Sequence, residues 1–386
     1  MAKYALALEG GGAKGAYQVG AIKALLEKGY EFNCVVGTSV GAINAAFIAQ
    51  GDFDKTLELW KNISFKDLLD IDNKKAGDLF KGRFSKELLK DIERKLKLFI
   101  KSRGIDTSLM RELLEKYIDE DKIRNSSIRF GLVTFCVTDF KPEELFIEDI
   151  PKGKLIDYLL ASTNLPVFQR AKIEEKDFLD GGSWDNCPVK MLEQEGYKDI
   201  LALRLYRINR IRHYGSINRN KEIKLKMFVP KYTLPSILNF ESNNLREMLK
   251  MGYIDTIKAL NKLDGNEYTF NYITKEQINK YKDDITPEEA LKILRSTMIS
   301  YKPGDNVVEL AIKKAIPLVS TITVAIPTSD FKKQLINIVE YVAKKEKIDK
   351  YEIYDFDEFV KIIKKKVRYK SVSMLDKAIY QVIKSI

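Results

Sequence analysis

Along the first fifty residues the apolar positions fall into short unbroken blocks, each followed by glycines and then by a helical stripe. Lys3 to Leu8 (KYALAL) reads as a buried strand. After Glu9-Gly10-Gly11-Gly12-Ala13-Lys14-Gly15 the spacing predicts a helix from about Ala16 to Lys28, with Val19, Ile22, Ala24, Leu25 and Leu26 on its apolar side and Gly29 closing it. A second apolar run, Phe32 to Val36, leads through Gly37-Thr38-Ser39-Val40-Gly41 into the small helix formers that extend to Ala49. Two strand-loop-helix units in succession predict an α/β layered fold with a parallel sheet.

Residues 52–125 are polar and helical in pattern, as at Asp54 to Lys61 and Lys86 to Lys101, and read as an insertion or cap over one edge. Strand patterns return at Ile128 to Thr138, Glu144 to Glu148 and Asp199 to Arg207. Between them Leu155 to Phe168 predicts a short helix, stopped by Pro166. Phe178-Leu179-Asp180-Gly181-Gly182 is an apolar approach to one acid and two glycines. From about residue 209 a basic connector and the stretch Lys224 to Val229 give way to mainly helical segments at Ile237 to Leu260, Thr286 to Ser300, Asp305 to Lys314, Phe331 to Lys345 and Phe356 to Lys366. Leu335, Ile338, Val339 and Val342 suit either a core-facing helix, the commoner case, or an amphipathic surface helix.

Composition adds constraints. With 45% hydrophobic and 31% charged residues among 386, the chain has the makeup of an ordinary globular protein. Cys34, Cys136 and Cys187 are odd in number and far apart, so they form no disulfide framework and suggest a reducing compartment. Neither a secretory leader nor a membrane span is recognised, because the longest apolar run, Ala315 to Pro327, is short and interrupted; the expected location is cytoplasmic. The net charge of +11 fits a solvated lysine-rich surface, with peripheral contact to anionic membrane as the main alternative. No nucleic-acid fingerprint accompanies it.

The chemistry concentrates at the glycines. A Gly-x-Ser-x-Gly match is expected by chance about 0.1 times in a chain of this length. Between a strand and a helix it throws the serine out on a sharp turn, which makes Ser39 the candidate nucleophile. Gly10, Gly12 and Gly15 also fit the dinucleotide fingerprint, but the acid that reading needs at the end of the second strand is replaced by Gly37-Thr38-Ser39. Beside Ser39, the backbone N–H groups of Gly10, Gly11 and Gly12 fit an oxyanion hole instead. Lys14 either adds positive charge there or pairs with a carboxylate to hold the loop. A serine needs a base, and the chain has a single histidine, His213, in a basic polar stretch that reads as surface loop. A triad of Ser39, Asp180 and His213 stays formally open, while Ser39 with Asp180 is the more economical pair.

Four ordered blocks, Glu9 to Gly15, Gly37 to Gly41, Ala161 to Pro166 and Asp180-Gly181-Gly182 followed by Asn186 and Pro188, resemble the patatin-like phospholipases over about residues 4–207. The segment around Leu234 to Leu260 is similar, more weakly, to the tail of stand-alone bacterial members. The resemblance implies a three-layer α/β/α fold with a mainly parallel central sheet. A catalytic domain would cover 1–207, with 52–125 as its helical insertion, and a mainly helical C-terminal region would cover 208–386. It implies a lipid acyl hydrolase of the phospholipase A or lysophospholipase type, with Ser39 as nucleophile, Asp180 as base, Gly10 to Gly12 as oxyanion loop, and neither cofactor nor metal. The implied partner is a phospholipid or other lipid ester. Glu9 departs from the Asp that many members carry, without touching the glycine N–H groups. Acyl transfer to an alcohol, or a nearly inactive lipid-binding regulator, are the alternatives. Head group, chain length and oligomeric state are not legible.

Overall fold

In the computed structural model, which describes residues 3–69, 106–166, 168–207, 215, 217, 220–367 and 373–386, β1 (Lys3–Leu8) is an interior strand of a sheet. It pairs in parallel with β2 (Glu31–Thr38) on one side and with β7 (Asp199–Leu203) on the other. β3 (Arg129–Cys136) extends the sheet beyond β2, and β8 (Lys224–Phe228) extends it beyond β7, both in parallel. Three antiparallel strands complete it: β4 (Lys141–Phe146), β5 (Ala171–Ile173) and β6 (Lys176–Asp180). The order is β5-β6-β3-β2-β1-β7-β8, with β4 also on β3.

The two-residue period of the strands decides which helices cover which face. Ala5, Ala7, Cys34, Val36, Val133, Ile200 and Ala202 form one core cluster with Val189, Met191 and Leu192. These last three belong to α8 (Val189–Gln194). The opposite face is covered by α1 (Gly15–Glu27) and α2 (Val40–Gln50), and α2 packs on β1, β2 and β3. This is the expected three-layer α/β/α fold with a mainly parallel sheet. Strands buried on both faces read as solid apolar runs, which is why β1 and β2 were plain in the sequence.

Short helices α3 (Phe53–Asn62), α4 (Phe65–Leu69), α5 (Ser108–Tyr117) and α6 (Glu120–Arg124) lie within the expected insertion, whose segment Lys86 to Lys101 falls outside the described residues. α7 (Leu155–Ser162) packs on β3, β5 and β6. Cys34, Cys136 and Cys187 are buried and unpaired.

The chain forms two compact units, residues 1–259 and 260–386. Because β8 pairs with β7, and α9 (Ser242–Leu260) follows it, the expected boundary at 207 falls inside the first unit. The second unit holds α10 (Lys275–Asp283), α11 (Pro287–Ser296), α12 (Val307–Leu310), a π-helical turn at Ala311–Ala315, α13 (Ile316–Val324), α14 (Phe331–Lys345), α15 (Phe356–Lys366) and α16 (Met374–Ser385). A two-stranded parallel ladder, β9 (Thr269–Phe270) with β10 (Ile353–Tyr354), also lies there. Leu335, Ile338, Val339 and Val342 are fully buried in this unit's core, so α14 is the core-facing helix of the two readings.

Candidate active site

β3 changes neighbour partway along one edge, and the site lies at the change. β4 runs along one edge of β3, from Gly131 to Cys136. The other edge is shared in succession. β2 pairs with it in parallel up to Thr38 opposite Val133, and β6 pairs antiparallel from Thr134 opposite Asp180. Consecutive residues of β3 therefore hold Thr38 and Asp180, and the next residue after Thr38 is Ser39. Open α/β sheets hold their ligands outside the carboxyl ends of their strands, and Ser39 directly follows the carboxyl end of β2.

Ser39 has φ 57° and ψ −130°, a strained conformation for a residue with a Cβ. The strand-to-helix turn closes so tightly that a Cβ on Gly37 would stand 2.2 Å from the carbonyl carbon of Gly41, and one on Gly41 would stand 2.3 Å from the Leu8 oxygen. Only glycine fits on both sides. The turn is then pinned from two directions. The Ser39 N–H donates to Ser162 Oγ at 2.9 Å, and that hydroxyl donates to the Val133 carbonyl at 2.7 Å. Thr38 Oγ1 donates to the Asp185 carbonyl at 2.7 Å.

Asp180 is held as firmly. Its N–H donates to the Asn164 carbonyl at 2.9 Å, and its Oδ1 accepts from the Gly182 N–H at 2.7 Å. Burial pushes the Asp180 carboxyl above the ordinary aspartate value, and hydrogen bonds from the Ser39 hydroxyl and the Gly182 N–H oppose the rise. The pKa direction matters chemically, since an aspartate at its ordinary value of about 3.9 is a weak base for a hydroxyl. Both Ser39 and Asp180 are buried, so water competes little for either.

The glycine loop lies against the serine: a Cβ on Gly10 would come within 3.1 Å of Ser39 Cβ. Its three amides are not equivalent. The Gly10 N–H donates to the Asn186 carbonyl at 2.9 Å, which removes it from the expected set of oxyanion donors. The N–H groups of Gly11 and Gly12 have no partner among the described residues, and both glycines line the cavity. Asn186 also donates from Nδ2 to the Gly10 carbonyl at 3.1 Å, so one residue grips Gly10 at both backbone groups.

Among the described residues Lys14 forms no ion pair with a carboxylate. The nearby acid, Glu9, is occupied by a bidentate bond from Arg204 at 3.0 and 3.1 Å and by the N–H groups of Leu205 and Tyr206. Lys14 Nζ stands 3.7 Å from the centroid of the Tyr206 ring instead, and burial lowers its pKa, with Glu9 opposing. Glu9 thus ties the end of β1 to the end of β7, a role for which its extra methylene over Asp is no obstacle. His213 lies outside the described residues.

Around Ser39 and Asp180 is a cavity of about 400 Å³ walled mainly by Ile43, Phe47, Trp60, Leu114, Phe168 and Phe240. Asp180 is the one ionisable carboxylate or cation among its described lining residues. Trp60 is fixed there by donating to Asn44 Oδ1 at 2.9 Å, and Asn44 in turn donates to Gln18 at 3.0 Å and to the Gly15 carbonyl at 3.2 Å. Such a wall suits a hydrocarbon chain.

The positioning residues Ser162, Asn164 and Asn186 stood in the sequence blocks without roles; their pairing partners are 123, 16 and 176 positions away, which no local pattern reveals. Ser162→Ala is expected to leave the buried Ser39 N–H unpaired and to destabilise the fold by about 1–3 kcal/mol. It should lower kcat more than it raises KM, because the turn that aims the hydroxyl is loosened. Urea unfolding together with steady-state kinetics checks both, and an unchanged midpoint would refute the pinning role.

Residues 6–193 match the family model described as patatin-like phospholipase. A patatin-like phospholipase domain-containing protein of Caenorhabditis elegans is 26% identical over 263 residues, 66% of this chain and 17% of its own length. A probable lipid hydrolase of Invertebrate iridescent virus 6 is 27% identical over 192 residues, 48% of this chain and 61% of its own. The chain thus spans less than two thirds of either relative. The crystal structure of VipD from Legionella pneumophila aligns with a TM-score of 0.40 at 15% identity, covering 99% of this chain and 90% of that one.

Proposed function

Through residues 6–193 the chain belongs to the patatin-like phospholipase family, and on that premise we propose that it is a lipid acyl hydrolase working through Ser39 and Asp180. The observation that carries this reading is the register on β3, which puts Asp180 one step beyond the strand end that bears Ser39. Residues 1–259 are the catalytic module in this reading, with α3 to α5 as part of the cavity wall.

The acyl chain of an ester enters the apolar cavity with its carbonyl carbon at Ser39 Oγ. Asp180, made more basic by burial, takes the hydroxyl proton as the oxygen attacks. Negative charge that develops on the carbonyl oxygen is met by the free N–H groups of Gly11 and Gly12, held in place because Asn186 fixes Gly10. The protonated Asp180 returns its proton to the leaving alcohol. Water then attacks the acyl-serine while Asp180 accepts its proton, and Asp180 passes that proton to Ser39 Oγ as the bond to the acyl carbon breaks and the fatty acid leaves. A cavity whose described lining carries no cation favours selection by the acyl chain over selection by a phosphate-bearing head group.

A fluorophosphonate probe tests the reading directly. Mass spectrometry is expected to find a single adduct, on Ser39, and a panel of lipid esters is expected to release free fatty acid. No adduct at Ser39 together with no release overturns the proposal. Appearance of a new ester when an alcohol is added would reassign the second half-reaction to acyl transfer.

A further inference from the structure

The second unit carries a helix with large apolar residues on both its buried and its exposed sides. In α13 (Ile316–Val324, IPLVSTITV), Ile316 and Val319 are fully buried in the unit's core. On its other side Leu318 and Ile322 are each 43% exposed and Val324 is 38% exposed, and Ile326, just past the helix end, is 69% exposed. Four large apolar side chains open to solvent within nine positions are more than the scattered single residues of an ordinary surface.

Two further details narrow what can cover this face. Its threonines do not offer their hydroxyls outward: Thr321 Oγ1 donates to the Pro317 carbonyl at 2.9 Å and Thr323 Oγ1 to the Ser320 carbonyl at 2.7 Å. The helix therefore presents no unsatisfied polar side chain to its partner. One turn ahead of Leu318, on the π-helical turn, Lys313 and Lys314 are exposed. Lys313 is paired with Glu309, while Lys314 has no ion pair among the described residues. Lys314, Leu318 and Ile322 follow one another at four-residue spacing, a charge leading onto an apolar stripe, which is the arrangement of a helix lying in a membrane interface.

We infer that the exposed side of α13, with Ile326, seats the second unit on the surface of an anionic bilayer, Lys314 meeting the head groups. The choice of a lipid surface rests on the lipid-hydrolase reading given above and on the chain's net charge of +11. A second copy of the chain fits less well, because the same stripe on a partner, from Ala315 to Pro327, carries no acidic residue to meet Lys314.

The full-length chain carrying Ser39→Ala, which leaves vesicles intact, is floated with vesicles of phosphatidylcholine alone or mixed with phosphatidylserine. Binding is expected with the mixed vesicles, weaker with phosphatidylcholine alone, and weaker again in high salt. Adding Ile322→Ser and Ile326→Ser is expected to reduce partition by at least about tenfold, and adding Lys314→Glu should reduce it roughly fivefold or more on anionic vesicles only. Unchanged partition of the double serine variant, or no binding by the parent, overturns the assignment. A concentration-dependent dimer that the double serine change abolishes would overturn it in favour of self-association. Hydrolysis of a water-soluble monomeric ester separates this from the catalytic reading. The Ile322→Ser, Ile326→Ser chain with Ser39 intact should match the parent rate, whereas a parent that binds vesicles yet cleaves no ester refutes only the hydrolase.

Discussion

Replacing Ser39 by alanine is expected to lower ester hydrolysis by about 10⁵-fold or more while the chain stays folded. The loss of a nucleophile is among the largest single effects known for serine enzymes, and the residual rate is what oxyanion donors and binding supply alone. The fold should survive because the pinning bonds are made by backbone groups that alanine keeps: the Ser39 N–H to Ser162, and the Ser39 carbonyl that accepts from Ala42 at 2.8 Å. Glycine at the same position separates chemistry from strain. It too lacks the hydroxyl, but it also lacks the Cβ that makes φ 57° with ψ −130° unfavourable. Relief of about 1–3 kcal/mol of backbone strain, less about 0.5–1 kcal/mol for glycine's greater freedom when unfolded, leaves Ser39→Gly more stable than Ser39→Ala by about 1 kcal/mol. Both should be inactive. Urea midpoints and a fatty-acid release assay settle the two points independently, and substantial turnover by either variant would remove Ser39 from the role of nucleophile.

How much of this was legible beforehand depends on whether a residue's partner is near in sequence. β1, β2 and the Ser39 turn could be read directly, because a buried parallel strand is a solid apolar run and the turn needs glycines at fixed offsets. α14 and α15 were placed with their bounds, Phe331–Lys345 and Phe356–Lys366, since each starts behind an aspartate cap and keeps a helical stripe. The β5–β6 hairpin was missed: three and five residues, with lysines and acids at its turn, give no alternation long enough to see. That hairpin delivers Asp180, so the sequence offered the residue but not the reason for its position, which is the change of partner along β3. The same limit applied to the glycines. Three adjacent glycines promise three free N–H groups, and only the Asn186 carbonyl, 176 positions away, decides that Gly10 is not one of them. Nor could the sequence show that Glu9, five positions before Lys14, is held by Arg204 from just past the end of β7.

Asp180→Asn is expected to reduce turnover by about 10⁴-fold, since an amide cannot take the Ser39 proton, and to make the folded chain more stable at neutral pH. The stability effect follows from the direction of the pKa shift. Burial raises the Asp180 carboxyl above its ordinary value, so the folded state binds this proton more tightly than the unfolded chain does. The group therefore favours folding most when protonated, below the unfolded value, and that contribution is lost as pH rises through the higher folded value. At neutral pH the parent keeps an ionised carboxylate in a buried site, which asparagine does not. Its amide oxygen can still accept from Gly182 N–H, so the turn at Gly181–Gly182 loses no partner. Thermal unfolding of parent and variant across a pH series should show curves that converge in acid and separate as pH increases, with the variant higher. The parent's kcat/KM should fall on the acid side with an apparent pKa above the ordinary aspartate value, because protonated Asp180 cannot act as base. A gap in stability that stays constant with pH would mean that the carboxylate is not destabilised by its surroundings. An acid limb at or below the ordinary value would mean that burial does not tune it for catalysis. Activity and stability are opposed at this one residue for a single physical reason: the desolvation that makes the carboxylate reactive is the same desolvation that makes it unwelcome in the fold.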